Sequence, residues 1–519
     1  MAITRLHHLQ ISVPVGAEDA ARAFYCGVLG LTEIEKPAAL KGRGGLWLQL
    51  GDLQLHIGVE DGVERAATRA HLAYEVDDLA ALRERLAAHN LAALESVAIP
   101  GYDRFETRDP FGNRVEFIQP LRAPDLLREQ IAYYRARAAE YDEWFYRVGR
   151  YDYGDALNRR WFDEAHQVMQ ALRGVGPVGE TLELACGTGI WTEQLLSISQ
   201  RITAVDAAPE MLALNRERLK APNVTYHEQD LFAWEPQAQY DLVFFGFWLS
   251  HVPPEYLDAF LDKIARAIRP GGRLFLVDSR PAPTSSARDH TLPDAQAFTH
   301  ARQLNDGRQF VIVKVFYDPA MLRARLLRAG LDAAPQTTDT YFLYASGTRA
   351  FLAAPSAACK DSYLEAVREF QRETRYLDHD PDWLADDANF AALLQRFASQ
   401  RTSPPPGWVP SSELWLVSGG EFIGRASIRH RLTDSLRRYG GHIGYEIRPS
   451  RRRQGYGTLI CRLALEQARG LGIARALITC DETNAASRRI IEANGGRFEK
   501  AVQVEGRPVP TLHFWVDLS

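Results

Sequence analysis

The chain has 519 residues, which is too long for one hydrophobic core and indicates several domains. Its composition is that of an ordinary globular protein, with a formal net charge of −5 at pH 7 and charges of both signs scattered along the sequence. The sequence has no basic stripe, so nucleic acid is not expected as a partner. No apolar run reaches the ~18 residues of a membrane span.

The five cysteines are isolated in the sequence and odd in number, which favours a reducing compartment over a disulfide framework. The first residues lead directly into a strand-like pattern and lack the three regions of a secretory signal. We therefore expect a cytoplasmic protein. Breaks in the pattern after Pro120 and around Pro355 predict three domains, over residues 1–121, 122–355 and 356–519.

The first region contains an internal repeat. Strand-like segments His8–Val13 and His71–Val76 are each followed by a helical stretch, Ala17–Leu29 and Asp78–His89. Each half then reads as about three short strands. Such halves cannot bury their apolar faces alone, so we expect a paired βαβββ module.

The first and last strands of each half carry one potential metal ligand. In the first half these are His8 and His56, and in the second half His71 and Glu116. Strand alternation points His7 away from the face of His8. Three imidazoles and one carboxylate suit a divalent transition metal with open positions for substrate or water.

Residues 5–119 resemble the glyoxalase and bleomycin-resistance (vicinal oxygen chelate) superfamily, most clearly at Phe24–Leu31 and Asp109–Phe117. The resemblance implies a divalent metal, Zn, Ni, Fe or Mn, and an activity of the lyase, isomerase or dioxygenase type. Its metal positions fall on His8, His56, His71 and Glu116. Members of this superfamily also use the same cup to bind a ligand without metal, so both interpretations stand.

The central region begins with a buried strand, Thr181–Ala185, a glycine turn, Gly187-Thr188-Gly189, and a helix starting near Trp191. Glycine allows the backbone to approach a ligand closely and to adopt positive φ. A second strand, Ile202–Val205, ends in Asp206. A carboxylate in that position can accept hydrogen bonds from both hydroxyls of a ribose.

Three further strands follow. Val224–His227 leads to Asp230 and Leu231, and Tyr240–Phe245 opens into a stretch that ends at His251. This series closely resembles the class I S-adenosylmethionine methyltransferases over roughly residues 128–350. The cofactor positions implied by the resemblance are Glu183, Gly187, Gly189, Asp206 for the ribose, and Asp230 with Leu231 for the adenine.

Residues 133–142 resemble the N-terminal lid helix of this group, which implies that Tyr134 and Arg137 bind the methionyl carboxylate. The alternative is a helix packed on the sheet with a solvated arginine. His251 lies past the fourth strand, where open α/β folds bind ligands, and is the candidate catalytic base. It can equally cap the following helix or line the wall without titrating. Trp248 can face the acceptor or pack in the core.

The last region has a separate signature. A strand over Gly441–Pro449 runs into Arg452–Gly457, and a helix, Thr458–Ala468, follows. Backbone N–H groups at a helix start, with two glycines and adjacent arginines, form a pyrophosphate site. Another strand, Ala474–Cys480, precedes a helix that opens at Asn484.

This region resembles the GNAT acetyltransferases, which implies acetyl-CoA as cofactor. Many members have a tyrosine seven residues after the asparagine, which protonates the leaving thiolate; this sequence has Ile491 there, so its general acid is open. The coenzyme positions implied are Arg452, Gln454, Gly455, Gly457, Thr458, Asn484 and Ser487. Glu446 or His442 is the candidate base that deprotonates an amine, and the alternative for Glu446 is a surface carboxylate.

The expected fold class is multidomain α/β and α+β: a paired βαβββ module, then a Rossmann-like methyltransferase sheet, then a GNAT mixed sheet. The favoured hypothesis is a multifunctional small-molecule tailoring or resistance enzyme that combines methyl transfer and N-acetylation with a ligand-binding cup. Its substrate is expected to be an amine-bearing metabolite, and a homodimer is possible. Two alternatives remain: an N-terminal domain that sequesters a toxic metabolite, and a central domain that uses S-adenosylmethionine for a reaction other than methylation.

Overall fold

A computed structural model describes residues 6–96, 102–120, 123–290 and 298–518 of the chain. The Cα positions divide into two compact units, residues 1–130 with 296–313 and residues 131–295 with 314–519. Each unit is described by itself below. No helix among the described residues is long and apolar enough to cross a membrane.

The N-terminal residues form two four-stranded sheets, with strand orders β1-β4-β3-β2 and β5-β8-β7-β6. Each sheet comes from one half of the predicted repeat, and each half is a strand, a helix and three strands, which confirms the βαβββ expectation. The elements are β1 (His8–Val13), α1 (Glu18–Arg22), β2 (Thr32–Ile34), β3 (Leu46–Leu50), β4 (Leu53–Val59), β5 (His71–Glu75), α2 (Leu79–Ala88), β6 (Leu94–Glu95), β7 (Tyr102–Arg108) and β8 (Arg114–Pro120). The helix α1 continues as a π-helical segment over Ala23–Val28.

Strand alternation separates two faces of these sheets. Leu55 and Ile57 of β4 enter one hydrophobic cluster with Val115 and Phe117 of β8. The intervening His56 lies on the opposite face from these apolar neighbours. The polar residues predicted as ligands are therefore on the face that the core leaves open.

The central domain is built on a seven-stranded sheet with the order β11-β10-β9-β12-β13-β17-β16. Strands β9 to β13 are parallel, and β17 pairs antiparallel with both β13 and β16. The elements are α3 (Ala123–Arg137), α4 (Tyr141–Tyr146), α5 (Asp155–Arg173), β9 (Val178–Leu184), α6 (Ile190–Leu196), β10 (Ser199–Asp206), α7 (Pro209–Leu219), β11 (Val224–Glu228), β12 (Tyr240–Gly246), α8 (Leu257–Ala267), β13 (Ile268–Ser279), β14 (Thr299–Gln303), β15 (Gln309–Val313), α9 (Pro319–Arg328), β16 (Leu331–Thr337) and β17 (Phe342–Arg349). β14 and β15 form a separate two-stranded sheet and belong to the first compact unit, with residues 1–130.

The order of the parallel strands reverses between β9 and β12. The strands follow one another outward from β9 to β11, and the chain then returns to pair β12 on the other side of β9. Open α/β sheets bind their ligands at the carboxyl ends of the strands where the order reverses. A cofactor is therefore expected at the loop after β9 and the turn after β12.

The C-terminal domain is a second seven-stranded sheet with the order β18-β19-β20-β21-β22-β24-β23. It is mixed, because β21 and β22 are parallel and the other pairs are antiparallel. The elements are β18 (Phe351–Ala353), α10 (Lys360–Gln371), α11 (Pro381–Leu384), α12 (Asp387–Ser399), β19 (Ser411–Ser418), β20 (Glu421–Arg429), α13 (Asp434–Arg438), β21 (Ile443–Ile447), α14 (Tyr456–Gly470), β22 (Arg475–Asp481), α15 (Ala485–Ala493), β23 (Arg497–Val502) and β24 (Thr511–Asp517).

The central and C-terminal sheets are connected directly at residues 350–353. β18 follows β17 directly and pairs with β19, so this short strand belongs to the C-terminal sheet. Leu327 of α9 and Ala350 are members of the hydrophobic cluster of the C-terminal domain. Asp332 of β16 accepts hydrogen bonds from Tyr456 Oη at 2.7 Å and Ser418 Oγ at 2.6 Å. We call this contact region the Asp332 junction.

Candidate functional site

The loop after β9 is tied to the end of β10 by one carboxylate. Asp206 Oδ2 accepts a hydrogen bond from the backbone N–H of Gly187 at 2.9 Å, and Oδ1 accepts one from the backbone N–H of Ala208 at 2.9 Å. Ala185, Gly187 and Gly189 have positive φ, so the chain turns sharply between strand and helix. The predicted ribose ligand therefore also fixes the shape of the loop beside it.

Asn215 of α7 braces this loop from behind. Its Nδ2 donates to Thr192 Oγ1 at 2.9 Å and to the carbonyl oxygen of Gly187 at 3.3 Å. A Cβ added at Gly189, whose φ is +96°, would lie 2.8 Å from Asn215 Oδ1. Gly189 is thus required by both conformation and space. Asn215 could not be predicted from the sequence, because it lies on another helix.

Glu183 presents an unsatisfied carboxyl group in the cavity at the end of β9. The residue is buried, and its Oε2 has no hydrogen-bond partner among the residues that the structure describes. Burial raises the pKa of Glu183 to about 8. The cavity is lined mainly by aromatic side chains, among them Tyr141, Trp144, Trp191 and Phe247. A buried acceptor of this kind fits a ligand that brings a donor or a cation into the cavity.

The other predicted cofactor positions lie at the neighbouring strand end. The backbone N–H of Gln229, after β11, donates to the carbonyl of Asp206 at 3.0 Å. This bond places Asp230 beside the end of β10. Asp230 Oδ1 accepts from the backbone N–H of Phe232 at 2.9 Å, and Leu231 is buried. The structure therefore brings Asp206, Asp230 and the glycine loop to one edge of the sheet.

The lid helix α3 contacts His251 through a tyrosine. Tyr134 Oη and His251 Nε2 are 2.7 Å apart, and the two rings are in edge-to-face contact. Arg137, one turn further along α3, is buried with its guanidinium 5.0 Å from the ring centre of Tyr141 and its Nη2 donating to Tyr151 Oη at 3.2 Å. Tyr134 and Arg137 are thus both directed into the domain.

His251 also lies next to a buried ionic group, in which Lys314 is the residue that sequence reasoning missed. It ends a 3₁₀ turn after β12, and the preceding Ser250 accepts a hydrogen bond at Oγ from Lys314 Nζ at 2.9 Å. Asp278 Oδ2 accepts from the backbone N–H of Ser250 at 2.8 Å, and Lys314 Nζ is 3.6 Å from Asp278. Trp248 packs with Phe232 and Phe260 in the apolar core of the domain.

The four predicted metal ligands of the N-terminal domain form two separate pairs. The rings of His8 and His56 are stacked at 4.4 Å, and His56 also stacks on Trp47 at 3.8 Å. His71 Nε2 and Glu116 Oε2 are 2.7 Å apart. Each pair lies on two neighbouring strands, β1 with β4 and β5 with β8.

An arginine is hydrogen-bonded to the carboxylate of Glu116, in the second pair. Arg104 Nη1 donates to Glu116 Oε1 at 2.6 Å, so both oxygens of Glu116 already have partners. No group of three or more His, Cys, Asp or Glu side chains suitable for a metal ion occurs among the described residues. A fixed positive charge on the carboxylate and a stacked imidazole do not fit a metal ion. The prediction of a metal site on His8, His56, His71 and Glu116 is therefore not supported by the geometry.

The predicted pyrophosphate loop of the C-terminal domain lies at the start of α14. Gly455 caps this helix with φ of +98°, and Arg453 also has positive φ. A Cβ at Gly457 would lie 2.6 Å from the side chain of Ile490. Arg452 forms a two-fold ion pair with Glu373 at 2.8 Å. Gln454 Nε2 donates to the carbonyl of Ser450 at 3.1 Å, and Thr458 follows in the first turn of the helix.

The two strands beside this loop, β21 and β22, diverge. β21 and β22 share a single pair of residues, Ile443 and Ile478. Asn484 Oδ1 caps α15 by accepting from the backbone N–H of Ser487 at 3.0 Å, and Ser487 Oγ is 3.1 Å from Tyr445 Oη. Ile491 is fully buried. The gap between the two strands leads from the loop toward Tyr445.

The contacts of the two candidate bases, Glu446 and His442, lower the pKa of each and so make each a weaker base. Glu446 accepts hydrogen bonds from Arg425 Nε at 2.5 Å, from Arg375 and from Tyr376 Oη. Burial raises the pKa of Glu446, but these three groups together lower it by more, so the net shift is downward. His442 Nδ1 accepts from the backbone N–H of Leu477 at 2.9 Å, and burial lowers its pKa to about 4.

His442 should make the free energy of unfolding decrease as the pH falls. Its pKa is lower in the folded chain than the unperturbed value of about 6.5, so the unfolded state binds the proton more strongly and stability is lost as pH falls below 6.5. At pH 5 the loss is about 2 kcal/mol. The melting temperature of the His442→Gln variant is therefore expected to fall less between pH 7.5 and 5 than that of the wild type. Equal falls would show that His442 is not the group responsible.

A cavity of about 740 Å³ lies beneath Glu446 in the same domain. Its walls come from β20, β21, α12 and the segment between α10 and α11. Tyr445 and Arg425 line it together with Glu446. The cavity therefore adjoins the gap between β21 and β22, where an acceptor would meet a ligand held by the α14 loop.

Family models match three parts of the chain. Residues 5–117 match the glyoxalase/bleomycin resistance protein/dioxygenase superfamily, residues 181–272 match a methyltransferase domain, and residues 357–497 match a GNAT acetyltransferase domain. The sequence had indicated all three, in this order. The matches confirm these three resemblances.

Two curated relatives match the central domain. The ubiquinone biosynthesis O-methyltransferase of Xanthomonas euvesicatoria pv. vesicatoria is 31% identical over 195 residues, covering 34% of this chain and 77% of that protein. Nodulation protein S of Azorhizobium caulinodans is 30% identical over 118 residues, covering 22% of this chain and 57% of that protein.

Solved structures resemble single parts of the chain. A DhpI-SAM-HEP complex is 37% identical with a TM-score of 0.36 and covers 44% of this chain and 99% of its own. A glyoxalase family protein from Bacillus anthracis is 40% identical with a TM-score of 0.23 and covers 23% of this chain and 98% of its own. With its central domain the chain belongs to the S-adenosylmethionine-dependent methyltransferases, and this domain stands between a glyoxalase-like domain and a GNAT acetyltransferase domain.

Proposed function

We propose that the chain is a multifunctional small-molecule tailoring or resistance enzyme. Its central domain transfers a methyl group from S-adenosylmethionine, its C-terminal domain N-acetylates an amine with acetyl-CoA, and its N-terminal domain binds a small molecule. The acceptors are amine-bearing metabolites. The observation that carries the proposal is the buried, unsatisfied Glu183 carboxyl beside the loop that Asp206 holds.

The polar groups at this edge of the central sheet have the chemistry to hold S-adenosylmethionine. When bound, the cofactor supplies an electrophilic methyl group on a sulfonium. Asp206 would accept hydrogen bonds from the ribose, and Asp230 with Leu231 would hold the adenine. The unpaired oxygen of Glu183 would accept a hydrogen bond from the ammonium group, which removes the cost of a buried acceptor without a partner. The bound cation would also lower the pKa of Glu183 from its raised value of about 8.

His251 and Tyr134 are the residues proposed to handle the proton of the acceptor. His251 Nε2 meets Tyr134 Oη at 2.7 Å, so the tyrosine orients the imidazole and fixes its position at the carboxyl edge of the sheet. A general base of this kind contributes about 10² to 10⁴ in rate. Lys314 and Asp278 stabilise the turn that carries His251 through Ser250.

The His251→Ala variant tests this assignment. We expect methyl transfer to slow by at least about 100-fold while the dissociation constant for S-adenosylmethionine changes less than threefold. The readout is mass spectrometry with trideuteromethyl cofactor and a panel of amine-bearing metabolites, because a product gains 17 mass units. His166→Ala is the control, since His166 is exposed on α5. Equal rates in both variants would remove His251 from the mechanism.

Product mass also separates methyl transfer from the alternative use of the cofactor. A product without the label, formed only in the presence of S-adenosylmethionine, would overturn methylation. Calorimetry that detects no binding of S-adenosylmethionine would overturn the proposal for the central domain altogether.

The C-terminal domain is proposed to hold coenzyme A at the start of α14. The backbone N–H groups from Gly455 to Thr458 would receive the pyrophosphate, with Asn484 near the pantetheine arm. The leaving thiolate is proposed to take its proton from water, because Ile491 replaces the family's tyrosine and burial raises the pKa of Tyr445, the hydroxyl at the gap between β21 and β22. Calorimetry with acetyl-CoA tests the site directly, and an absence of binding would overturn it.

A second function is proposed for the N-terminal domain: binding a metabolite without chemistry. Arg104 on Glu116 and the stacked rings of Trp47, His56 and His8 favour this over metal catalysis. Aromatic and cationic groups on one open face can hold a planar or anionic ligand. Stoichiometric metal in the purified protein, lost in His71→Ala, would overturn pure binding.

A further inference from the structure

The cavity beneath Glu446 contains a segment of unusual backbone. Between α10 and α11 the chain passes through Thr374 and Tyr376, which both have positive φ (59° and 57°) although neither is glycine. Each such residue costs about 1–2 kcal/mol, and such conformations concentrate at functional sites. The segment sends Arg375, Tyr376 and His379 to the cavity wall.

His379 is part of this wall. It is buried, and its Nδ1 lies 2.8 Å from Tyr363 Oη, so Nε2 is the nitrogen left to meet a ligand. Asp378 Oδ2 lies 3.9 Å from Nε2. Burial lowers the pKa of His379, Asp378 and Glu446 raise it, and Arg396 and Arg425 lower it, so that the net shift is downward. The ionisable groups around this ring are Tyr363, Tyr376, Asp378, Arg396, Arg425 and Glu446.

The arginines of the cavity are not all neutralised. Arg425 is paired with Glu413 and Glu446, and Arg375 is paired with Glu446. Arg429, by contrast, donates only to the carbonyl oxygens of Gly440 and Gly441, and no carboxylate of the described residues pairs with it.

The whole lining has a positive balance. Four arginines line the cavity, against three carboxylates. The arginines are Arg375, Arg396, Arg425 and Arg429, and the acids are Asp378, Glu413 and Glu446. Burial lowers the pKa of the Arg429 guanidinium, which reflects the cost of holding this charge away from water without a counter-ion. An anionic group on a ligand would provide the missing partner.

We propose that the acetyl acceptor is a small amine that also carries an anionic group, that Arg429 binds the anion, and that His379 Nε2 accepts the proton of the amine. This rests on the proposed N-acetylation. The anion is a carboxylate or a phosphate-type group, which share the two-oxygen face that a guanidinium binds. Glu446, held between arginines, positions Arg425 and Tyr376 in the same wall.

The step is balanced. His379 Nε2 takes one proton from the ammonium form of the acceptor, and the neutral nitrogen attacks the thioester carbonyl, so that a C–N bond forms and the C–S bond breaks. The second proton leaves the nitrogen for solvent. Coenzyme A leaves as a thiolate, which takes up a proton from water, and the imidazolium returns its proton to solvent.

Matched pairs of amines test the anion. The probes are β-alanine against β-alaninamide, and O-phosphoethanolamine against ethanolamine, with acetyl-CoA and the full chain. We expect kcat/KM at least about tenfold higher for the charged member of at least one pair. The Arg429→Gln variant should raise KM for that probe by at least about 30-fold and change the uncharged amine less than threefold. Arg431→Gln, at an exposed position just beyond β20, is the control.

Comparison of the β-alanine pair with the O-phosphoethanolamine pair shows whether the site prefers a carboxylate or a phosphate. Preference for the uncharged amines, no turnover of either charged probe, or equal effects of Arg429→Gln and Arg431→Gln would each overturn the acceptor assignment.

His379 is tested by pH. We expect His379→Gln to lower kcat at pH 7 by at least about 100-fold with little change in KM. The loss should shrink as pH rises toward the pKa of the amine, about 10, where solvent supplies the free base. His430→Gln is the matched control, because His430 is bonded to Ser412 and is not part of the cavity wall. A constant loss at all pH values would show a structural role and overturn the assignment.

Binding of acetyl-CoA keeps this test separate from the proposed function. All variants should bind the cofactor with the wild-type dissociation constant in calorimetry. If the wild type binds no acetyl-CoA, the acetyltransferase function itself fails. If it binds the cofactor and acetylates charged and uncharged amines alike, only the inference about the acceptor fails.

Discussion

An Asp206→Ala variant is expected to bind S-adenosylmethionine about 100-fold more weakly than the wild type. Asp206 has two tasks in one side chain. Its oxygens hold the N–H groups of Gly187 and Ala208, and they are the proposed partners of the ribose hydroxyls. Removing the carboxylate therefore disorders the loop and deletes the ligand contact together. Calorimetry of the purified variant measures the change.

The control for this variant is another acid nearby. Glu210 lies four residues further along the chain, in the first turn of α7, and pairs with Arg135 at the surface. Glu210→Gln is expected to leave the dissociation constant within twofold, because exposed ion pairs contribute little. Acetyl-CoA affinity should be unchanged in both variants. Weakening of the same size in Glu210→Gln would show that general loss of charge, not the loop, is responsible.

A Gly455→Ala variant is expected to bind acetyl-CoA at least about tenfold more weakly. Gly455 has φ of +98°, which an alanine adopts only with strain. The added Cβ would also lie 2.9 Å from Leu327 Cδ2 of the methyltransferase domain. The loop must therefore shift, and its N–H groups no longer converge on one anion. Calorimetry with acetyl-CoA gives the change directly.

Gly470→Ala is the matched control for the loop. Gly470 ends the same helix, α14, and a Cβ there has no heavy atom within 4 Å. We expect unchanged acetyl-CoA affinity in this variant, and unchanged S-adenosylmethionine affinity in both. Equal weakening by Gly455→Ala and Gly470→Ala would contradict the importance of the left-handed turn.

The sequence allowed the fold to be predicted because its signals are local. One such signal is the alternation of apolar and polar residues in β1 and β5. Another is the succession of strand, glycine turn and helix at Thr181–Trp191. Both depend only on neighbours within one segment. The repeat gave the pairing of the N-terminal halves, and strand ends gave Asp206 and Asp230. Local patterns also placed the loop at Gly455 at the start of its helix.

The chemistry around those positions could not be predicted in the same way. Arg104 reaches Glu116 from the adjacent strand, Asn215 braces the glycine loop from another helix, and Lys314 meets Ser250 from far along the chain. Each of these contacts depends on how separate elements pack, which periodicity does not specify. His379 was missed for the same reason, because its segment has no motif and gains meaning only from the cavity that it borders.

The Asp332 junction has a consequence for how this chain can change. Tyr456, the first residue of α14, directs its hydroxyl to a carboxylate of the methyltransferase sheet, and Leu327 of that domain fits against the glycine before it. The acetyltransferase domain therefore cannot be replaced by that of a relative without also changing the residues of the central domain that contact it. Replacing it with a relative would remove the Tyr456 and Ser418 hydrogen bonds of Asp332 and leave it only its ion pair with Arg323, so recombination must exchange α9, β16 and the start of α14 together.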